Sequence, residues 1–236
     1  MRYSLVFTLL GVILIGKSAQ DSTGAWPVVA LVELWFASSF LTLAAVYGMK
    51  RAGFDVETRF DRKPCSWIRV FFLPYTLLGL GILALSRTFD REPAWNEVVP
   101  GVWLGRYPFR DESDKLSRLG INAIVNLCFE FTTRTGPDTA DFARFPILDG
   151  TPPTPETFRQ AVDRATSDRA RAKTVLIHCA QGHGRSATIA AAVLVRLGLT
   201  NSVEEALVRV RTARPRARPS KDQCSALTSF LSATDE

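Results

Sequence analysis

The chain has 236 residues, 47% of them hydrophobic, with 29 Lys/Arg against 23 Asp/Glu and a formal net charge of +6, which leaves room for about one or two domains with a sizeable core. Ordinary Gly, Pro and charge contents exclude collagen-like, low-complexity and disordered classes. Four irregularly spaced cysteines make no disulfide framework, and two histidines without a CxxC pair speak against a structural zinc site.

The charges are unevenly spread. Residues 1–91 hold 10 Lys/Arg and 6 Asp/Glu around three apolar runs, whereas 92–236 hold 19 and 17 and read as one soluble domain. The first run, 3–16, would reach only about 21 Å as a helix; 28–49 reaches about 33 Å, and 67–86 about 30 Å if Arg69 snorkels. Two or three transmembrane helices are expected. Pro74, Gly79 and Gly81 weaken the third and leave a re-entrant segment as its alternative. Lys17-Ser18-Ala19 lacks the small residue that signal cleavage needs two places before Ala19, so run one reads as an uncleaved anchor. Trp26, Trp67 and Tyr75 suit the membrane interface. Glu33 reads as reaching the headgroups, with a paired functional acid as the alternative. Gly11-xxxx-Gly16-Lys17-Ser18 fits a nucleotide-loop pattern, but its middle residues are Val-Ile-Leu-Ile and no buried strand precedes it, so the match is coincidence.

Lys50, Arg51, Arg59, Arg62 and Lys63 place 50–66 in the cytoplasm by the positive-inside rule. Three spans would then put the soluble domain on the outer, periplasm-like face of a multi-pass membrane protein, which is the expectation. A re-entrant third run would leave the domain cytoplasmic.

Residues 96–105 alternate and stop at Gly105, predicting an opening strand or hairpin. Asp111–Leu119 reads as a helix ended by Gly120, and Ile121–Phe129 as a buried strand. Phe142–Leu148 is a second strand running into the loop Asp149-Gly-Thr-Pro-Pro153. Thr154 caps a helix with Pro155 at its first position and Phe158, Ala161, Val162 and Ala165 on one face. Thr174–Ile177 is a third buried strand, followed by a glycine-containing loop, Cys179–Ser186, and a helix apolar nearly all round, Ser186–Leu199. Helices over 202–211 and 220–231 close the chain. Alternating strands and helices imply an α/β fold, a central mainly parallel sheet flanked by helices.

The chemistry sits at 178–186, His-Cys-Ala-Gln-Gly-His-Gly-Arg-Ser. A cysteine at the exit of a buried strand is followed by five residues and an arginine that opens a helix. Backbone N–H groups in such a loop (Ala180, Gln181, Gly182, His183, Gly184) form an anion nest, strengthened by the helix N-terminus. Gly182 and Gly184 supply the conformations a tight nest demands. Thiolate is favoured beside a helix N-terminus and an arginine, and Arg185 can grip two phosphate oxygens. These parts describe a phosphate cradle with a sulfur nucleophile at its base.

The segment resembles the His-Cys-x5-Arg-Ser signature of cysteine-dependent protein tyrosine and dual-specificity phosphatases. The resemblance covers about 95–231 and is closest to the compact dual-specificity branch, through Pro100-Gly-Val-Trp-Leu-Gly105 and Leu119–Leu127. Leu104-Gly-Arg-Tyr-Pro108, Glu130 with 132–135, and Arg218-Pro219 with Gln223 resemble the subgroup that includes mitochondrial phosphatidylglycerophosphate phosphatase. The resemblance implies that Cys179 forms a phospho-cysteine intermediate, Arg185 binds the phosphoryl oxygens, Ser186 assists sulfur departure and His178 orients the loop. It implies Asp149 as general acid and then base, with Asp138 and Asp141 as rivals. No cofactor or metal is expected, because the guanidinium and the amide nest supply the electrostatics.

Arg209, Arg211, Arg214, Arg216 and Arg218 read either as a solvated turn or as a surface for anionic lipid. The strip lacks interleaved aromatics, so no nucleic acid is expected. A lipid phosphate is the first-ranked substrate and a phosphoprotein the second. A non-catalytic phosphate-binding module ranks third, because such modules lose the cysteine or arginine retained here.

Overall fold

The computed structural model describes residues 2–22, 27–56, 66–89, 91–132 and 134–233; Trp26, Arg59, Arg62, Lys63, Cys65 and residue 133 lie outside the described residues. The chain divides into two compact units, Met1–Ile82 and Leu83–Glu236.

In the first unit α1 (Arg2–Ser22) packs along α2 (Pro27–Arg51). Ser4 bonds to the Ala44 carbonyl at 3.3 Å and Ser18 to that of Ala30 at 2.9 Å, so the helices run antiparallel. Both are long and apolar enough to cross a membrane, over Tyr3–Asp21 and Val28–Arg51. The first is longer than its apolar run because the helix continues through the polar residues after Gly16. It passes unbroken through residues 11–18, which therefore form no loop. Lys17 ion-pairs with both Glu33 and Asp21, giving Glu33 a partner inside the unit where the sequence suggested a reach to the headgroups. Tyr75 is buried edge-on to Phe7, with ring centroids 5.8 Å apart, and is not an interface residue; Trp67 is exposed.

The third apolar run is not one helix. It breaks at Phe72 into α3 (Ser66–Phe71) and α4 (Leu73–Phe89). Pro74 explains the break, since it has no N–H and its ring clashes with the carbonyl four residues back. The 17 residues of α4 reach about 26 Å, short of the hydrocarbon core.

The second unit is built on a five-stranded sheet in the order β1-β2-β5-β3-β4: β1 (Trp95–Val99), β2 (Val102–Gly105), β3 (Ile121–Cys128), β4 (Asp141–Ile147) and β5 (Thr174–His178). The β1–β2 hairpin is antiparallel, and every other pairing is parallel. The central strands are near-continuous apolar runs because helices cover both faces. One face carries α5 (Ser113–Arg118), where Leu116 packs with Trp95, Ile121, Ile124 and Leu176. The predicted helix from Asp111 is shorter than expected, its first turn being 3-10 over Arg110–Glu112. The other face carries α6 (Pro155–Ala170), α7 (Arg185–Arg196), α8 (Val203–Ala213) and α9 (Lys221–Ser232). The capping reading of Thr154 holds, since it accepts from the Thr157 N–H; Ser202 and Ser220 accept in the same way from the N–H groups of Glu205 and Gln223. All residues from Arg185 to Leu194 are buried, which makes α7 the interior helix.

Leu176 is fully buried at the centre of the middle strand. Leu176→Ala is expected to cost about 2–5 kcal/mol, the range for truncating a core leucine, read as a lowered midpoint of denaturant-induced loss of tryptophan fluorescence. A loss below 1 kcal/mol would mean that this core collapses freely around the gap.

Candidate active site

The loop between β5 and α7 is held by its carbonyls. The Tyr107 N–H donates to the Ala180 carbonyl at 3.0 Å, and the Arg218 N–H donates to that of His183 at 2.7 Å. Between them, Arg214 takes the Gln181 carbonyl through Nη2 and the Gly182 carbonyl through Nε, both at 2.9 Å. The Gly184 carbonyl accepts from the Thr188 N–H inside α7. A trans peptide points its N–H opposite to its C=O, so carbonyls tied outward turn the next residues' amides inward. One inward amide is visible: the Gly182 N–H donates to Cys179 Sγ at 3.2 Å. The orientation of these peptide groups is thus imposed from outside the loop.

Gly182 is required twice over. Its φ is +80°, and an added Cβ would lie 2.4 Å from the Gly105 carbonyl carbon, where the loop crosses the end of β2 backbone to backbone. Gly105 is equally confined, by the Ala94 carbonyl oxygen at 2.3 Å from any Cβ.

Cys179 is buried, and its sulfur lies 3.3 Å from Ser186 Oγ. Arg185 is 1% exposed. Its Nη1 donates to Glu130 Oε2 and the Ile147 carbonyl at 2.9 Å each, and its Nη2 to Glu130 Oε1 at 2.7 Å. Asp149 Oδ1 also lies 3.1 Å from Nη2. Burial opposes the charge, but Glu130 and Asp149 outweigh it and hold the guanidinium above its ordinary value. The buried Nε–H has no partner among the described residues, which leaves a donor for an oxyanion.

The sheet separates the three candidate acids. Because β3, β4 and β5 are parallel, their C-terminal ends share one edge. Cys179 follows β5 there and Asp149 follows β4, so Asp149 reaches the site. Asp141 opens β4 level with Ala123 and hence with Val175, four residues before Cys179 and about 13 Å back along the sheet. It pairs there with Lys173 and Arg164, and the hydrogen bond from Lys173 holds its carboxyl below the usual range. Asp138 precedes that same strand end and is exposed. The structure thus brings together Cys179, Arg185, Ser186, His178 and Asp149 with the loop 180–184, and leaves Asp138 and Asp141 outside.

His178 is fully buried, with Nδ1 3.4 Å from the Cys179 carbonyl oxygen and the Tyr107 ring edge-on to it at 5.7 Å. Burial pushes its pKa down to about 3, so the ring is neutral.

Three functional positions escaped the sequence reading. Glu130, noticed only for its resemblance, is the carboxylate that holds Arg185; its place just past β3, beside β5, was the available signal. Arg214, read as part of a solvated basic strip, is 2% exposed and carries the loop; Arg209, Arg211, Arg216 and Arg218 are exposed. Gln223 is buried in α9 and donates to the Thr151 carbonyl at 3.0 Å, tying that helix to the Asp149 loop.

Residues 94–232 match the family model described as the Swiss Army Knife protein, DSP-PTPase phosphatase domain. The chain is 28% identical over 127 residues to dual specificity protein phosphatase 22-B of Danio rerio, covering 52% of this chain and 67% of that protein. It is 27% identical over 149 residues to the phosphatidylglycerophosphate phosphatase PTPMT1 of Arabidopsis thaliana, covering 58% of this chain and 42%, less than half, of that protein. Among solved structures, Tk-PTP in its active form superposes with a TM-score of 0.54 at 28% identity, over 59% of this chain and 97% of that one. PTPMT1 in complex with PI(5)P gives 0.55 at 22% identity, over 61% and 100%, a likeness of fold alone.

The His178 shift has a signed consequence. Between pH 6.5 and about 3 the unfolded chain takes up a proton that the folded ring refuses, so the stability conferred by the neutral ring is complete above 6.5 and falls on acidification, by about 1.4 kcal/mol per pH unit. Replacing His178 by Asn is expected to remove this slope from the stability–pH curve measured by denaturant unfolding between pH 4 and 7. An unchanged slope would reject a buried neutral histidine.

Proposed function

The chain belongs to the DSP-PTPase phosphatases, and from that premise we propose a membrane-anchored phosphomonoesterase that works through Cys179 on a lipid phosphate. The observation that carries the chemistry is the convergence on one spot of the sulfur, the inward amides and a guanidinium with a free Nε–H. The phosphoryl group docks in the nest with its oxygens on the amides and Arg185. The Cys179 thiolate attacks phosphorus, the bond to the leaving oxygen breaks, and protonated Asp149 gives that oxygen its proton. The Asp149 carboxylate then takes a proton from water, whose oxygen attacks phosphorus; the sulfur–phosphorus bond breaks and inorganic phosphate leaves. Ser186 Oγ, 3.3 Å from the sulfur, donates to the departing thiolate. Asp149 performs both tasks from the exposed side of the guanidinium. Its side chain is 44% exposed, and its contact with Nη2 is one that a phosphoryl oxygen replaces.

Three observations support a lipid substrate. The chain itself carries two helices of membrane-spanning length. An open recess of about 450 Å³ beside the loop is lined by Ser86, Gln181, His183, Arg216 and Arg218, and its two arginines favour an anionic surface, at about 1 kcal/mol per charge near such a membrane. Two relatives are phosphatidylglycerophosphate phosphatases. A re-entrant α4 keeps the domain on the side of Lys50 and Arg51, which close α2. By the charge bias that side is the cytoplasm, where thiols remain reduced. This is the cytoplasmic alternative to the outer face expected from three spans.

In the detergent-solubilised chain, Cys179→Ser is expected to abolish turnover while inorganic phosphate still binds. Asp149→Asn is expected to slow hydrolysis of alkyl phosphates by about 10²–10⁴-fold, and to affect aryl phosphates with acidic leaving groups less. A panel of phospholipid monoesters against phosphopeptides decides the substrate: peptides hydrolysed with the higher kcat/KM would make this a protein phosphatase.

Cys179 as the sole cysteine is expected to resist an impermeant thiol reagent in intact cells and to react after permeabilisation. Labelling in intact cells would place the domain outside.

A further inference from the structure

We propose that Glu92 and Arg214 form a positioning pair that keeps the phosphate loop in its amide-inward conformation, so that the short segment joining α4 to β1 supports the catalytic site. The inference rests on the phosphatase chemistry proposed above and concerns residues outside it.

Arg214 is 2% exposed and uses all three of its nitrogens. Beyond the two loop carbonyls, Nη1 donates to the Pro93 carbonyl at 2.8 Å and to Asn96 Oδ1 at 2.7 Å. Every partner so far is a neutral acceptor, and a guanidinium buried among neutral acceptors alone is costly. Glu92 supplies the countercharge, with Oε2 3.1 Å from Nη2. The same Oε2 accepts from His183 Nε2 at 2.8 Å, and Oε1 accepts from the Arg216 N–H at 3.1 Å. Glu92 therefore holds a loop side chain directly and two loop carbonyls through Arg214, while fixing the turn that follows α8.

The arrangement is specific in what it orients. The carbonyls of Gln181 and Gly182 belong to the peptide groups whose N–H ends are Gly182 and His183. The first of those amides points at the sulfur. Without the pair these two peptide planes lose the bonds that hold their carbonyls outward and can rotate, turning carbonyl oxygens toward a bound anion. Oxyanion affinity is the quantity such a rotation removes. A fold-supporting residue would instead change how much active enzyme survives. Because Glu92 stands three residues after α4 ends, the anchor comes from the stretch of chain between α4 and β1.

The test compares the wild-type full chain in detergent with Arg214→Lys, Glu92→Gln, Glu92→Asp and the Arg214→Lys/Glu92→Gln double variant. Three quantities are measured: the inhibition constant of inorganic phosphate, the KM for an aryl phosphate, and kcat per active site titrated by the phospho-cysteine burst. Arg214→Lys is expected to raise both constants about tenfold and Glu92→Gln about threefold, as for hydrogen bonds to charged groups. Glu92→Asp, which keeps the charge, is expected to recover most of the loss. The double variant is expected to resemble Arg214→Lys alone, as residues acting as one unit do. Wild-type inhibition constants and KM in the single variants, with only the titrated amount of active enzyme reduced, would reduce the pair to a fold-stabilising contact. So would strictly additive effects. Cys179→Ser is assayed alongside: turnover surviving in it would reject the underlying chemistry, whereas an inert Cys179→Ser with no shift in phosphate inhibition rejects the positioning pair alone.

Discussion

Everything at this site depends on turning a run of peptide groups the same way. A chain of amides aimed at one point is unfavourable without an anion, because parallel dipoles repel and the N–H groups lack partners. The protein makes that conformation the resting one by capturing the opposite ends of the peptides. Tyr107 takes the first carbonyl, Arg214 the next two, and Arg218 the fourth. Helix α7 takes the last. The loop residues themselves need only be small and permissive, as Gly182 is where it crosses Gly105.

The second constraint is the buried charge of Arg185. A guanidinium with 1% exposure persists only with a countercharge and hydrogen bonds on its nitrogens. Glu130 provides both in a two-pronged contact and leaves Nε–H uncommitted. Asp149 shares the same guanidinium from the exposed side. One carboxylate is therefore buried and the other open to solvent, although both face the same arginine. The difference comes from burial, which fixes Glu130 just past β3 and leaves Asp149 on an open loop.

Parallel pairing is what gathers these groups. Cys179, Glu130 and Asp149 each follow the C-terminal end of a different strand, and adjacent parallel strands bring those ends to one edge. Acids at the opposite edge, Asp141 among them, serve a separate ion-pair network with Lys173 and Asp168. The basic strip after α8 divides in the same spatial way. Arg214 turns inward to the loop, while Arg216 and Arg218 face the recess beside it.

From the residues alone, the alternation of apolar runs and capped helices determined the α/β class, and the opening hairpin and the three later strands were placed within about two residues. Cys179, Gly182, Arg185 and Ser186 were legible because their spacing is local: one strand, one loop and one helix start suffice to define it. Only the tertiary structure decided the rest. Glu130 and Arg185 are 55 residues apart in sequence, and Arg214 lies 32 residues from the Gly182 carbonyl it holds, so no local pattern marks either pair. Arg214 stands in sequence among four exposed arginines, and composition cannot distinguish the one that burial selects. Asp149 and its rivals were separated by strand direction, a property of pairing rather than of any one segment. The third apolar run had enough hydrophobic residues to cross a membrane, yet its helix was divided by Pro74, because hydropathy measures solvent preference and not whether the backbone can remain helical.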